Sequence, residues 1–194
     1  MVNPVIQLEG TSQAIMEEAM GHTFAFDQSY KIKGDDENAP FKFHLDKDKK
    51  QVTLTIRKDL KWSNNQDVVA DDIIATYELM ANPKYKDNIR YKSEFETIEG
   101  LKDYHEGKAE KISGLTKKDD KTVVIQYKDV KPALLWGSGF ITTFLNKDQV
   151  AAASKDFSKF VEAELNTKPL SYGPYYLDKV VNGESVLAKQ NPYY

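Results

Sequence analysis

Residues 41–56 read FKFHLDKDKKQVTLTI, and this stretch sets the architecture that the rest of the chain must fit. Apolar side chains alternate with polar ones over residues 41–45 and again over residues 52–56, which is the two-residue period of a half-buried strand. The charged run 46–50 between them has little to bury, so it is expected to be a solvated hairpin loop. The stretch therefore predicts two paired strands with one buried face.

A helix is predicted after this hairpin. Residues 62–65 (WSNN) favour a tight turn, because asparagine tolerates left-handed backbone. Apolar residues then recur at helical spacing over residues 73–81, behind Asp71 and Asp72, whose charges suit a helix N-terminus. The helix is expected to stop before Pro83, since the residue preceding a proline disfavours the α region.

Weaker patterns predict the remaining elements. The predicted helical elements are a helix over 11–20, a loop leading into a helix over 88–107, and an amphipathic helix over 157–166. The predicted extended elements are an alternating aromatic stretch over 23–32 and a strand pair at 112–115 and 122–127 around a charged loop at 117–121. A terminal hairpin is predicted from residues 175–177 and 186–189, with a turn at 182–183. Helices and strands together predict a mixed α/β (α+β) fold.

Composition excludes several classes of function. The 194 residues carry 27 basic and 30 acidic side chains, a net charge of −3, with the two signs interleaved, so a basic nucleic-acid-binding surface has no support. No apolar run approaches the 18 or so residues of a spanning helix, so direct membrane insertion of this segment is not expected. The absence of cysteine excludes a disulfide framework, a thiol nucleophile and a Cys-ligated metal on this chain.

Catalytic patterns are missing as well. The three histidines, His22, His44 and His105, are far apart in sequence, and none belongs to a metalloprotease-type helix motif. Ser138 lies between two glycines, but Trp136 occupies the position where a nucleophile elbow needs glycine. We therefore predict no catalytic residue, no metal ligand and no cofactor, and we do not expect an enzyme.

Several segments resemble one protein family. Residues 54–63 (LTIRKDLKWS) and 68–78 (VVADDIIATYE) resemble the signature T-hydrophobic-R-x-x-hydrophobic-K-W-S-D-G, then V-T-A-D-D-hydrophobic, of the oligopeptide-binding proteins of ABC importers. Residues 98–114 resemble the Gram-positive branch of that family, and residues 172–194 contain its G-P-[YF], G-E-S-V and N-x-Y-[YW] elements. The chain is thus identified as similar to the family 5 extracellular solute-binding proteins.

The departures from the family pattern are local. Asn64-Asn65 stands where the family prefers Asp-Gly, which keeps a turn, and Ser171 replaces the first glycine of the Gly-Pro-Tyr block. Val69 replaces the usual threonine, which removes a helix cap worth about 1 kcal/mol.

The resemblance implies a periplasmic-binding-protein-like fold of type II. Members of the family are much longer than this chain and close two lobes over a peptide. We therefore expect residues 1–194 to be an excised part of the first lobe. Residues 26–167 are expected to form the extra subdomain of the peptide binders, and residues 1–25 and 168–194 to be flanking pieces of the first lobe.

The resemblance also implies a function. The full protein would capture oligopeptides at the extracellular cell surface, where a lipid anchor outside this chain would hold it to the membrane, and deliver them to ABC permease subunits. Peptide binding would be directed at the main chain of the ligand and tightened by closure of two lobes, so this chain alone is expected to bind peptide weakly or undetectably. A monomer is expected.

Three aromatic residues are candidate peptide contacts. Tyr91 is the first choice, because the tyrosine-rich loop before Phe95 corresponds to a region of the family that reaches the cleft; Trp136 and Tyr172 are further choices. Two other classes of function stay open: a related binder of nickel, haem or saccharide, and a cell-surface interaction or pheromone-sensing module. A hydrolase is the remaining alternative.

Overall fold

The computed structural model describes residues 10–85, 95–181 and 184–194. Within these ranges the chain combines short helices with antiparallel strands, which confirms the predicted mixed α/β class. The helices are α1 (Gly10–Met20), α2 (Ala70–Met80), α3 (Leu101–His105), α4 (Lys147–Ala153) and α5 (Glu164–Thr167), with two 3-10 segments at Pro132–Trp136 and Phe157–Glu162.

The strands of these ranges form three separate antiparallel sheets. They are β1 (Ala25–Phe26), β2 (Ile32–Lys33), β3 (Phe41–Asp46), β4 (Gln51–Ile56), β5 (Leu115–Asp119), β6 (Thr122–Gln126), β7 (Tyr175–Val181) and β8 (Ser185–Gln190). The central sheet has the order β3-β4-β6-β5, and β1–β2 and β7–β8 are two-stranded.

The hairpin predicted over residues 41–56 is confirmed. β3 pairs with β4 from Phe41 opposite Ile56 to Asp46 opposite Gln51. The apolar positions are buried, apart from a half-buried leucine at the end of β3, and the charged run between the strands is an exposed turn. One face of the hairpin therefore closes the core, as the alternation predicts.

The second hairpin corrects the sequence prediction. The strand predicted at 112–115 and the loop predicted at 117–121 are both misplaced, because β5 begins at Leu115 and includes Lys117 and Lys118. β5 is an edge strand whose residues after Leu115 are exposed, so it lacks the alternation of a half-buried strand. Exposed lysines on an edge strand also discourage pairing with a second chain.

Two further predictions need correction. The single helix predicted over 157–166 is replaced by a 3-10 segment and α5, which are separated by the extended backbone of Ala163 (φ −60°, ψ 147°). No sequence pattern predicts α4, which begins after Asn146, whose side chain accepts hydrogen bonds from the backbone N–H groups of Asp148 and Gln149. With 7 residues, α4 is too short for its periodicity to be recognised.

α2 begins and ends close to the predicted positions, and a buried carboxylate fixes its N-terminus. Asp72 is 1% exposed and accepts hydrogen bonds from Trp62 Nε1 (3.0 Å), Val69 N (2.8 Å) and Lys147 N (2.8 Å). Burial raises the pKa of Asp72 above its ordinary value, although all three hydrogen bonds oppose that shift. Asp72 thus joins the turn before α2 to the start of α4, and it accepts the Val69 N–H from the third position of the helix, although the Val69 side chain itself accepts no capping bond.

An aromatic cluster forms the part of the core nearest to β3. The Phe24 ring lies 6.2 Å from Phe41, 6.2 Å from Phe43 and 5.6 Å from Phe140, measured between centroids. Phe41 also contacts Phe144 at 4.8 Å. Such aromatic pairs contribute roughly 0.5–1.5 kcal/mol each beyond the area that they bury. The cluster holds the segment after the first 3-10 segment against the sheet.

The first and last parts of the described residues pack together. α1 contacts β7, and a Cβ atom added at Gly173 would lie 2.1 Å from the carbonyl oxygen of Met20. The β7–β8 pairing confirms the terminal hairpin, whereas the turn predicted at 182–183 and the first part of the loop predicted at 88–107 lie outside the described residues. The boundaries predicted for the flanking pieces stay predictions.

None of the described helices is long and apolar enough to cross a membrane.

Candidate ligand-binding site

A pocket of about 400 Å³ opens beside the aromatic cluster. It lies between the C-terminal end of α1, the β1–β2 hairpin and the first 3-10 segment. Three aromatic side chains line it while keeping much of their surface exposed: Phe26 (39%), Tyr30 (79%) and Trp136 (50%). Because exposed aromatic rings gathered at one concave site mark binding surfaces, this pocket is the candidate ligand-binding site.

Trp136 reaches the pocket because of the 3-10 segment that carries it. Pro132 stands at the first position of this segment, and Gly137 ends it in the left-handed region (φ 78°). Leu134 is buried and fixes one side of the segment, while Trp136 remains half-exposed. The Trp136 indole Nε1 donates a 3.1 Å hydrogen bond to the carbonyl oxygen of Ser29, which ties the segment to the β1–β2 hairpin.

The loop between β1 and β2 presents Tyr30. The carboxylate of Asp27 accepts hydrogen bonds from the Ser29 backbone (2.8 Å), the Ser29 hydroxyl (2.8 Å) and the Lys31 backbone (3.0 Å). These bonds, led by that of the Ser29 hydroxyl, lower the pKa of Asp27. Tyr30 has a φ of 59°, a conformation that costs a non-glycine residue roughly 1–2 kcal/mol. The loop therefore holds a strained, exposed tyrosine at the mouth of the pocket.

Polar groups are interspersed among the aromatic walls. Glu17, His22, Thr142 and Thr143 line the pocket, and the His22 ring meets Phe26 edge-on, with 6.1 Å between centroids. Among residues 10–85, 95–181 and 184–194, no group of three or more His, Asp or Glu side chains could hold a metal ion. The pocket thus suits a ligand that combines apolar surface with hydrogen-bonding groups.

The three predicted site residues do not meet at one place in the described structure. Trp136 lines the pocket, and Tyr91 lies outside the described residues. Tyr172 is buried between Trp62 and Phe41, with ring centroids 5.3 and 5.4 Å away, and burial raises its pKa to about 12. The structure gives Tyr172 a packing position, and ligand contact at each of the three residues stays a prediction.

No sequence pattern assigns Phe26, Tyr30 or His22 to a ligand-binding site. The sequence predicts an alternating stretch over 23–32, whereas the structure divides that stretch into β1, a tight loop and β2. The spacing Asp27-x-Ser29 is a signal for such a loop, since aspartate accepts hydrogen bonds from the backbone two residues later. The contact of this loop with Trp136 joins positions far apart in the chain, which no local pattern reveals.

Comparison with known proteins identifies relatives. The family described as "Bacterial extracellular solute-binding proteins, family 5 Middle" matches residues 41–194. The oligopeptide-binding protein OppA of Lactococcus lactis subsp. cremoris is 41% identical over 156 residues, which cover 77% of this chain and 26% of the relative. The oligopeptide-binding protein SarA of Streptococcus gordonii is 30% identical over 157 residues, covering 77% of this chain and 23% of SarA. The chain thus spans about a quarter of the length of these relatives.

A solved structure of lactococcal OppA also matches this chain. Lactococcal OppA, complexed with an endogenous peptide in the closed conformation, matches 100% of this chain and 37% of its own chain, with a TM-score of 0.83 and 31% identity. The family match and this structural match confirm the resemblance inferred from the sequence motifs, and with it the expectation of a solute-binding protein instead of an enzyme. The chain therefore belongs to the family 5 bacterial extracellular solute-binding proteins.

Proposed function

We propose that the whole protein is the substrate-capture component of an ABC oligopeptide transporter. It binds extracellular peptides and delivers them to membrane permease subunits. The 41% identity to a relative named oligopeptide-binding protein OppA carries this proposal, and the lactococcal OppA complex with a peptide supports it. In the same proposal the protein acts as a monomer, lipid-anchored at the cell surface.

The pocket contributes side-chain recognition in this proposal. Trp136 and Tyr30 offer exposed aromatic surface, which suits the apolar parts of a peptide, and their ring edges and polar atoms suit its polar parts. A pocket of about 400 Å³ leaves room for water beside a ligand side chain, so varied side chains fit without a specific partner for each. We retain Tyr91 as a proposed contact and expect Tyr172 to act through packing.

We also propose where the chain lies in the larger fold. It forms part of the first lobe of a type II periplasmic-binding protein, with residues 26–167 as the extra subdomain and residues 1–25 and 168–194 as flanking pieces. The packing of α1 against β7 supports assigning the two flanking pieces to one structural unit.

A titration followed by NMR tests the ligand class. The chain has 2 tryptophans, so the indole resonance of Trp136 is readily assigned with a Trp136→Phe variant. We expect the pentapeptide Ala-Ala-Phe-Ala-Ala, at millimolar concentration, to shift this resonance, and Val161→Ala, a change at an exposed apolar residue outside the pocket lining, to leave the response intact. A shift with nickel(II), haemin or maltotriose and none with the pentapeptide would refute peptide capture.

A further inference from the structure

The segment that follows Trp136 forms one wall of the pocket without regular structure. We call residues 137–145 the wall segment; it contains no helix or strand, and Gly137, Thr142 and Thr143 line the pocket. Within the described part of the chain, residues 139–145 make no backbone-to-backbone hydrogen bond. Because buried backbone groups need partners, side chains must supply them here.

Two buried tyrosines supply partners in the first half of the wall segment. The Tyr127 hydroxyl donates to the carbonyl oxygen of Gly139 at 3.1 Å. The Tyr77 hydroxyl accepts a 3.0 Å hydrogen bond from the backbone N–H of Ile141. Tyr127 comes from the end of the central sheet and Tyr77 from α2, so the two hydroxyls approach the segment from different elements.

Two more hydroxyls supply partners in the second half. Thr76 Oγ1 accepts from the backbone N–H of Leu145 at 2.9 Å and donates to the carbonyl oxygen of Asp72 at 2.7 Å. The Tyr172 hydroxyl accepts from the backbone N–H of Phe144 at 3.4 Å and shares a 2.7 Å hydrogen bond with the Thr23 hydroxyl. All four side chains that bond the segment are buried.

We propose that the hydroxyls of Thr76, Tyr77, Tyr127 and Tyr172 are positioning groups for ligand binding. The phenylalanines of the segment fix its depth in the core, but apolar contacts are not directional. Hydrogen bonds are directional, so a buried set of them from different elements favours one backbone conformation. The hydroxyls therefore hold the wall segment in the one conformation that presents Thr142 and Thr143 beside Trp136. The expected effect on peptide binding rests on the proposed function, whereas the holding of the wall segment by the four hydroxyls is a property of this chain alone.

Removal of single hydroxyls tests whether these groups hold the conformation of the wall segment. Tyr77→Phe keeps the ring and deletes the acceptor of the Ile141 amide. Tyr104→Phe is the control, since Tyr104 is a half-buried tyrosine that lies on α3 and makes none of these bonds. We expect amide hydrogen exchange at Ile141 to rise about tenfold in Tyr77→Phe, the equivalent of one lost hydrogen bond, and to stay unchanged in Tyr104→Phe. Equal exchange in the two variants overturns the proposal.

Two additional measurements separate positioning from general stability. Tyr127→Phe frees the Gly139 carbonyl at the other end of the segment and is expected to shift the Trp136 indole resonance, so the proposal stays testable if Tyr77→Phe does not fold. Titration with Ala-Ala-Phe-Ala-Ala is expected to show about tenfold weaker binding for the folded tyrosine variant than for Tyr104→Phe. Unchanged affinity despite faster exchange overturns the positioning role, whereas a wild-type chain that ignores the peptide overturns the assignment of this pocket to peptide recognition and leaves the exchange result standing.

Discussion

The side chain whose loss is expected to destabilise this fold most clearly is Asp72. Its two carboxylate oxygens accept hydrogen bonds from the Trp62 indole and from the backbone N–H groups of Val69 and Lys147, at 2.8 to 3.0 Å. Asp72→Ala leaves three donors without an acceptor: the buried Trp62 indole and the partly buried backbone N–H groups of Val69 and Lys147. A fully buried donor without a partner costs about 1–3 kcal/mol, so roughly 3–9 kcal/mol is the upper range for the three.

The expected loss lies near the lower end of that range, at about 4 kcal/mol. The raised pKa of Asp72 shows that burying its charge already disfavours the ionised form in the wild type, and the alanine variant recovers that cost. Asp72→Asn keeps one oxygen but turns its NH₂ group towards a donor, so we expect an intermediate loss of about 2 kcal/mol.

Urea unfolding followed by far-UV circular dichroism measures these losses at neutral pH. The matched control is Asp71→Ala, because Asp71 is the neighbouring acid but forms an exposed ion pair with Lys117 at 2.8 Å. That pair and its position at the helix start are together worth at most about 1 kcal/mol. A loss below about 1 kcal/mol for Asp72→Ala, or equal losses for the two alanine variants, would refute the role assigned to the buried carboxylate.

Three further predictions follow from the same structure. Gly173→Ala would place a Cβ atom 2.1 Å from the backbone of α1, so its free energy of unfolding in urea is expected to fall by more than about 3 kcal/mol. The control Gly107→Ala, at a glycine with a positive φ but no atom within 4 Å of the added Cβ, is expected to lose about 1 kcal/mol, and similar losses for the two variants would contradict this. The Ser29 hydroxyl and the backbone N–H groups of Lys31 and Ser29 lower the pKa of Asp27 by hydrogen bonding, so the contribution of this carboxylate to the order of the loop is complete above pH 3.8 and is lost as the pH falls through the lower folded-state value. The Trp136 indole resonance, which reports the loop, should show a titration step in that acid range, and persistence of this step in Asp27→Asn would exclude this cause. This chain alone is expected to bind Ala-Ala-Phe-Ala-Ala with a Kd above about 10 μM in calorimetry, and tighter binding would show that closure of a second lobe is unnecessary.

Local periodicity accounts for the parts of the fold that the sequence predicted. The hairpin over residues 41–56 and the helix after it have one buried face each, and a buried face leaves a regular pattern of apolar residues. β5 has no such face, and α4 and α5 are too short to show one. Those three elements depend on contacts across the chain, which a single sequence does not display.

The sequence predicted one residue of the candidate site, Trp136, but not the residues that surround it in the pocket. Trp136 was predicted and lines the pocket, but its hydrogen bond to Ser29 joins positions 107 residues apart, so the arrival of Phe26 and Tyr30 beside it follows only from the tertiary fold. Tyr172 belongs to a family motif, and its burial indicates that the motif maintains packing here.

The structure of the wall segment suggests how members of this solute-binding family diverge. Thr142 and Thr143 lie between Ile141 and Phe144, whose backbone amides are held by hydroxyls from other elements. Both threonines line the pocket and are half-buried, whereas the bonds that hold the segment go to the backbone of their neighbours. Exchanges at these two positions therefore change the surface that a ligand meets while the supporting scaffold stays the same, so binding preferences can diversify without a new fold.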